Sequence, residues 1–385
     1  MTQDSATAIL AELIAFDTTS RNSNRPLIDY AVTYLCRFGI EPTLIWNDEG
    51  TKANLWATIG PDIGGGIILS GHTDTVPVDG QDWSSNPHVM VEREGLLYGR
   101  GTCDMKGFLA SALALVPQLQ DMPLKRPIHL AFSHDEELGC VGVRSLIEHL
   151  RRSSIKPSWC IVGEPTDMRP VIGHKGGRSY RVRITGREAH SSLAPQAVNA
   201  INFAAELIVF LTGLADSLKS GPSDPLYDIT HSTLSTGLFH GGTAINIVPR
   251  YCELVFEYRY LQGVDPDAIL QEIIDYAEAV LLPRMRKIAP EAAIKFENIY
   301  EYPNFEVDPD HELVSRVKSW AGSNSEAKVA YGTEAGLFAG TLGIPTIVCG
   351  PGSINQAHKP DEYVSTGQLA ACTDFLSKIG SFCCQ

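Results

Sequence analysis

Imidazole and carboxylate side chains recur at one kind of place along this chain, directly after short apolar runs. Gly65–Ser70 (GGIILS) leads into Gly71-His72-Thr73-Asp74-Thr75, and Pro127–Ser133 (PIHLAFS) leads into His134-Asp135-Glu136-Glu137. Ser158–Gly163 (SWCIVG) is followed by Glu164-Pro165-Thr166, and Thr346–Cys349 opens a glycine-proline loop that reaches His358. Asp104 stands in Gly99-Arg100-Gly101-Thr102-Cys103-Asp104-Met105-Lys106-Gly107, whose glycines mark a tight backbone path.

Imidazole nitrogens and carboxylate oxygens, with no thiolate among them, suit Zn²⁺, Co²⁺ or Mn²⁺. Taken singly, each segment has an ordinary explanation. His72-x-Asp74 fits a turn, Asp104 fits a helix cap worth about 1 kcal/mol, and three successive acids fit a solvated loop. Together they all fall just past the carboxyl end of a strand or at the start of the next helix. That edge of an open α/β sheet is where ligands bind. Asp104, Glu137 and Glu164 carry −3 beside neutral histidines, so one divalent ion leaves −1 and two leave +1. The arithmetic favours two.

Elements must exist to place these groups. Ala6–Ala15 and Pro26–Phe38 repeat apolar residues at helical spacing, and Met105–Leu119 reads as a buried helix opened by Asp104. With the apolar runs as strands between them, the first half predicts a mostly parallel sheet with helices on both faces. After Gly176 the texture changes. Arg178–Thr185 alternates with period two, a helix is expected over Ala197–Leu218, strands over Thr233–Phe239 and Cys252–Tyr260, a helix over Pro266–Val280 and a strand over Ala293–Tyr300. That βαββαβ order predicts an α+β domain, residues 177–302, inserted into an α/β domain made of residues 1–176 and 303–385.

Composition narrows the function classes. The 385 residues leave room for two domains at roughly 150 residues each. With 31 Lys+Arg against 45 Asp+Glu, the charge of −14 and the lack of a basic block speak against nucleic-acid binding. Residues 1–20 carry Asp4, Glu12 and Asp17 and no basic residue, unlike a secretory leader, and no apolar run approaches a membrane span. Nine cysteines without a Cys-x-x-Cys pair suit reduced thiols in a cytoplasmic protein.

Ordered along the chain, GHTDTVP at 71–77, GRGTCDMKG at 99–107, Asp135-Glu136-Glu137, Gly163-Glu164-Pro165-Thr166 and the His358 loop resemble the co-catalytic zinc aminoacylase and carboxypeptidase family. The resemblance covers nearly the whole chain, including Leu13–Ser20 (LIAFDTTS) and His174-Lys175-Gly176. It implies two divalent ions, zinc or cobalt, bridged by Asp104, with His72 and Glu164 on one and Glu137 and His358 on the other. It further implies that Asp74 orients His72, that Glu136 is the general base, and that the peptide after Asp104 is cis. The inserted domain would form a lid and a homodimer contact, with His190 stabilising the oxyanion and Asn246 and Arg259 near substrate. Lys175 and Thr333 are weaker substrate-binding candidates.

Within the family the resemblance is strongest to the branch that hydrolyses N²-acetyl-L-ornithine to ornithine and acetate, for arginine synthesis. Neighbouring alternatives are a desuccinylase for succinyl-diaminopimelate and a broad aminoacylase. The alternative of another class is a non-catalytic relative that only binds metal or ligand. Filled ligand positions together with Glu136 argue against it. The expected partner is a small N-acyl amino acid, with no nucleic acid and no membrane.

Overall fold

A largely apolar strand can bury both faces, and two six-residue strands buried at every position lie in the middle of the larger sheet. In the computed structural model, which describes residues 5–385, Asp4 lies outside the described residues. By internal contacts the chain divides into two units. The first holds residues up to His174, Phe305–Val329 and Thr333–Gln385; the second holds Lys175–Asn304 with Ala330–Gly332.

The first unit is built on a nine-stranded sheet. Its strands run in the order Thr43–Trp46, Ala53–Ile59, Ile128–Ser133, Ile67–His72, Trp159–Pro165, Thr346–Gly350, Val171–His174 and Phe305–Glu306, with Ala327–Val329 beside Val171–His174. The four strands from Ile128–Ser133 to Thr346–Gly350 are mutually parallel. Both margins are antiparallel except at Ala327–Val329, so the parallel arrangement holds for the centre and the sheet as a whole is mixed. Because the central strands share one direction, His72 pairs with Ser133 and Gly350 with Pro165, and their carboxyl ends line one edge.

Neighbouring strand residues face opposite ways, and the packing on each side shows it. A Cβ at Gly71 would meet Met105 and Leu109, and one at Gly163 would fall 1.9 Å from the Phe108 ring. Helix Lys106–Asp121 therefore lies directly on the strands at two glycines. Ser70 points the other way, donating to the Glu334 carboxylate ahead of helix Ala335–Leu342. The first central strand begins at Ile67 rather than Gly65, since Gly65 and Gly66 take φ of 92° and 84°, outside the extended range.

Helix Lys106–Asp121 also begins later than its apolar pattern suggests. Its N-cap is Met105 with no side-chain cap bond, so Asp104 is not a cap. The Asp104–Met105 peptide is cis, and the Asp104 carboxylate turns towards two histidines instead.

In the second unit, a four-stranded antiparallel sheet runs Thr233–Gly241, Tyr251–Tyr260, Gly176–Thr185, Ala293–Tyr302. One face carries Val182, Leu254 and Phe256 against Leu207 and Leu211 of helix Ala200–Leu218 and Ile273 of helix Pro266–Tyr276. The opposite face is a ladder of ion pairs among Arg181, Arg183, Glu253 and Glu297. Helix Ala200–Leu218 starts three residues later than its apolar pattern, because Asn199 Oδ1 accepts from the Ile201 and Asn202 N–H groups and caps it there. This helix is long and apolar enough, by length and composition, to cross a membrane, contrary to the reading that no segment approaches a span. Its buried stripe is Ala204, Leu207, Leu211 and Leu214.

All nine cysteines are free.

One buried titratable group lies away from the candidate site. His129 is fully buried, stacked on Trp56 at 4.8 Å, with Nδ1 3.0 Å from Thr58 Oγ1 and Nε2 3.2 Å from the Gly65 carbonyl. Burial pushes its pKa down to about 4, against 6.5 ordinarily. The unfolded chain therefore binds a proton over a range where the folded chain does not, so the stability His129 contributes is complete above 6.5 and is lost as pH falls towards 4. Urea unfolding should show the wild type losing about 2 kcal/mol more than His129→Gln between about pH 7 and about pH 5. Parallel losses in the two proteins would contradict the assignment.

Candidate metal centre

At the carboxyl edge of the parallel strands the first unit gathers residues from five separate segments. His72 ends its strand, and its Nε2 lies 3.0 Å from Asp104 Oδ1 and 3.7 Å from Glu164 Oε1. His358, on the loop after Thr346–Gly350, places Nε2 3.3 Å from Asp104 Oδ2 and 3.1 Å from Glu137 Oε2. The two oxygens of one carboxylate thus face two different imidazoles. His72, Asp104 and Glu137 each offer a donor atom within 4.8 Å of the others, and so do His72, Glu136 and Glu164. Distance alone therefore admits Glu136 among the possible ligands.

Asp74 meets this cluster differently from its spacing. The strand stops at His72, and the nearer partner of His72 Nδ1 is the main-chain carbonyl of Asp74 at 2.9 Å, with the Asp74 carboxylate at 3.6 Å. That carboxylate accepts instead from the N–H groups of Glu136 and Glu137, at 3.1 and 3.3 Å, and from Ser20 Oγ at 2.7 Å. It ties the acidic loop to the His72 strand. Asp135, with φ 53°, turns away to pair with Lys52 and with His134 Nδ1 at 3.0 Å. Of the three successive acids, two face the histidines and one anchors the turn.

The electrostatics follow from burial. Burial opposes ionisation of Asp104, yet hydrogen bonds from His358 and His72 hold its carboxyl below the usual range. Burial raises Glu164 well above the ordinary carboxylate range, reinforced by Asp104, and raises Glu137 likewise. Glu136 is pushed up to about 8 by burial, with His72 opposing and Glu137 and Asp104 adding to the rise. Hydrogen bonds to Asp104 and Glu137 raise His358 to about 10. Four carboxyl groups thus share only two imidazoles. Glu137 Oε1 is buried with no hydrogen-bond partner among the described residues, while its Oε2 faces His358. The donor set and this orphaned oxygen fit a site for divalent cations.

The supporting groups were only partly visible from spacing. Lys106, almost wholly buried, donates to the carbonyls of Leu13 and Phe16 and so holds the segment that delivers Ser20 to Asp74. Glu362 accepts from the Cys103 and Asp104 N–H groups at 2.9 and 3.0 Å. Arg100 lies inside the GRGTCDMKG run and Glu362 four residues past His358, yet no periodicity marks them; an arginine between two glycines beside a carboxylate-rich site was the available signal. Cys103 packs here, with Sγ donating to the Ser353 carbonyl and burial raising its pKa far beyond the titrating range.

Thr333 belongs to the first unit, away from these ligands in its bonding: its Oγ1 accepts from Ala335 N–H and its N–H donates to His174 Nε2. The remaining candidates fall in the second unit. His190 is exposed, with Nδ1 2.8 Å from Ser192 Oγ, and Ser191 N–H donates to the carbonyl of Asn246. Arg259 contacts Glu257, the Tyr302 hydroxyl at 2.9 Å and the Ala330 carbonyl at 3.2 Å. Lys175 is fully buried and donates to the carbonyls of Ile229 and His231.

Comparison with known proteins agrees with this geometry. Residues 68–380 match the model of peptidase family M20/M25/M40. The acetylornithine deacetylase of Proteus mirabilis is 35% identical over 373 residues, covering 96% of this chain and 93% of its own. The M20 family metallo-carboxypeptidase Sso-CP2 of Sulfolobus solfataricus superposes with a TM-score of 0.80 at 18% identity, covering 99% of each chain. The YXEP protein of Bacillus subtilis, a dinuclear metal binding peptidase from the M20 family, superposes with a TM-score of 0.69 at 14% identity, covering 98% of each chain. This chain belongs to peptidase family M20/M25/M40 and is a metal-dependent amidohydrolase.

Proposed function

We propose that the protein hydrolyses N²-acetyl-L-ornithine to L-ornithine and acetate at a two-metal site. The observation that carries this reading is Asp104, whose two oxygens face His72 and His358 separately, with Glu164 beside the first and Glu137 beside the second. His72, Asp104 and Glu164 would hold one ion, and Asp104, Glu137 and His358 the other. When bound, such a pair of cations acidifies water and polarises the scissile carbonyl.

Glu136 is assigned the proton. Its main chain is fixed by the Asp74 carboxylate, and its Oε1 accepts from Cys140 Sγ at 3.3 Å. A carboxyl group held near the ligands and made more basic by burial would, once cations beside it favour its ionised form, be suited to accept a proton from water. It takes the proton of the attacking water as the C–O bond forms and the carbonyl oxygen gains charge, then passes that proton to the amide nitrogen, whereupon the C–N bond breaks and the amine leaves. Glu137, its neighbour, keeps its place against His358.

The choice of acetylornithine rests on the similarity to acetylornithine deacetylases. His190 is assigned to the developing oxyanion, and Asn246, Arg259, Lys175 and Thr333 to the substrate, on the family resemblance. We assign a homodimer as well. Thr233–Gly241 is an edge strand, and Leu238, Phe239, Ile245, Ile247 and Tyr251 around it are exposed apolar residues. The cytoplasm is the proposed compartment, where free thiols persist reduced.

Metal-free protein should gain about 4 kcal/mol in unfolding free energy for each ion bound when Zn²⁺ or Co²⁺ is added at a thousand times the Kd of that site. Asp104→Asn should lose most of that gain in thermal melts, and an unchanged gain would remove Asp104 from the ligands. Glu136→Gln should keep both ions by metal analysis while kcat falls by about 10²–10⁴. Full activity in that variant would end the base assignment. With either metal, acetate should be released faster from acetylornithine than from acetylmethionine, and succinyl-diaminopimelate should be a poor substrate; the reverse order would move the protein to a neighbouring specificity.

A further inference from the structure

Behind the cluster lies an arginine with no surface. Arg100 is 0% exposed, and its guanidinium reaches two ways. One arm, Nη1, donates to Glu362 Oε2 at 2.7 Å; the other, Nη2, donates to Gln81 Oε1 at 2.6 Å. Trp83 closes the arrangement, with its ring 5.0 Å from the guanidinium and its Nε1–H donating to the same Gln81 oxygen at 3.0 Å.

Each arm continues to a different candidate ligand. Through its other oxygen, Glu362 accepts the main-chain N–H groups of Cys103 and Asp104. Through Nε2, Gln81 donates to the main-chain carbonyl of His358 at 3.0 Å. His358 sits at φ 63°, a conformation that a non-glycine residue adopts only when its surroundings impose it. The network therefore grips the backbone of Asp104 and of His358, two of the three residues assigned to the second ion.

A buried ion pair is a poor source of net stability, because desolvating both charges cancels most of their attraction. What the fork geometry of arginine supplies is fixed direction. We infer that Arg100, Glu362 and Gln81 are positioning residues which hold Asp104 and His358 at the separation the second metal ion requires, with Gln81 setting the His358 side. The inference rests on the two-metal reading above and assigns roles that the reading itself does not need.

Gln81 offers the clean test, since it is partly exposed and its replacement leaves the Arg100–Glu362 pair intact. Gln81→Leu removes all three of its side-chain bonds, to Arg100, Trp83 and the His358 carbonyl. Gln81→Glu keeps an acceptor for Arg100 and cannot donate to the His358 carbonyl. Metal-stripped wild type and both variants are titrated with Co²⁺, followed by heat and by visible absorption. Two ions should bind to wild type, whereas both variants should lose about 10–100-fold in affinity at one site, keep the other, and change the absorption of only the weakened site. Their metal-free melting temperatures should stay within about 2 °C of wild type, and excess Co²⁺ should restore kcat.

Two tight sites with wild-type spectra in both variants would overturn the inference. So would a Gln81→Glu protein that matches wild type while Gln81→Leu does not, because the grip on His358 would then be irrelevant. A wild type that binds no Co²⁺ would instead remove the two-metal reading itself, and the two failures are told apart by that control. Glu362→Gln provides a second arm, with an expected weakening of both sites because Asp104 is shared between them.

Discussion

Crowded negative charge is the constraint on which the rest of this structure depends. Asp104, Glu137, Glu164 and Glu136 converge on two imidazoles at a sheet edge, His72 buried and His358 half-exposed, where the carboxylates of Asp104, Glu137 and Glu164 are largely shielded from water. Like charges in a poorly solvated place resist ionisation, and the raised pKa directions of Glu136, Glu137 and Glu164 express that resistance. Only Asp104 escapes it, because each of its oxygens has an imidazole beside it. The arrangement is tolerable as a binding site for cations and costly as anything else.

Parallel strands are what make such crowding possible. Four strands pointing the same way deliver their carboxyl ends to one edge, and the loops there need not satisfy a hairpin. The flanking antiparallel strands widen the sheet without contributing ligands. Local backbone then does the aiming: positive φ at Asp135 and His358 turns one acid away from the cluster and one histidine into it. Main-chain N–H groups, held by the carboxylates of Asp74 and Glu362, keep the acidic loop and the Asp104 turn in place.

The second unit answers to a different rule. Its sheet buries one face only, so Tyr251–Tyr260 alternates between buried and half-exposed residues along its length. The open face is laced with exposed arginine–glutamate pairs, which contribute little individually but keep that surface polar. Its sheet edge, by contrast, carries exposed leucine, phenylalanine and isoleucine side chains.

Much of this was legible in the order of residues alone. An apolar run followed by an acid or a histidine marks a strand end by local pattern, and four such marks collected His72, the Glu136–Glu137 pair, Glu164 and the His358 loop, while a glycine-rich path singled out Asp104 and the family resemblance chose within the pair. Period-two alternation likewise separated the second unit from the first, because half-buried and fully buried strands differ in every second residue. Direction and partnership were decided only by the tertiary structure. Asp104 looked like a helix cap because capping is a local event, but a histidine 32 positions earlier and another far downstream claim its oxygens. Asp74 meets His72 through its main-chain carbonyl at 2.9 Å, with its carboxylate 3.6 Å away and also taking the acidic loop, because the strand ends at His72. Arg100, Glu362 and Gln81 carry no periodic signal at all, since their meeting depends on segments hundreds of residues apart closing on one buried guanidinium. Spacing encodes which face a side chain leaves from; what it meets there is a matter of long-range packing.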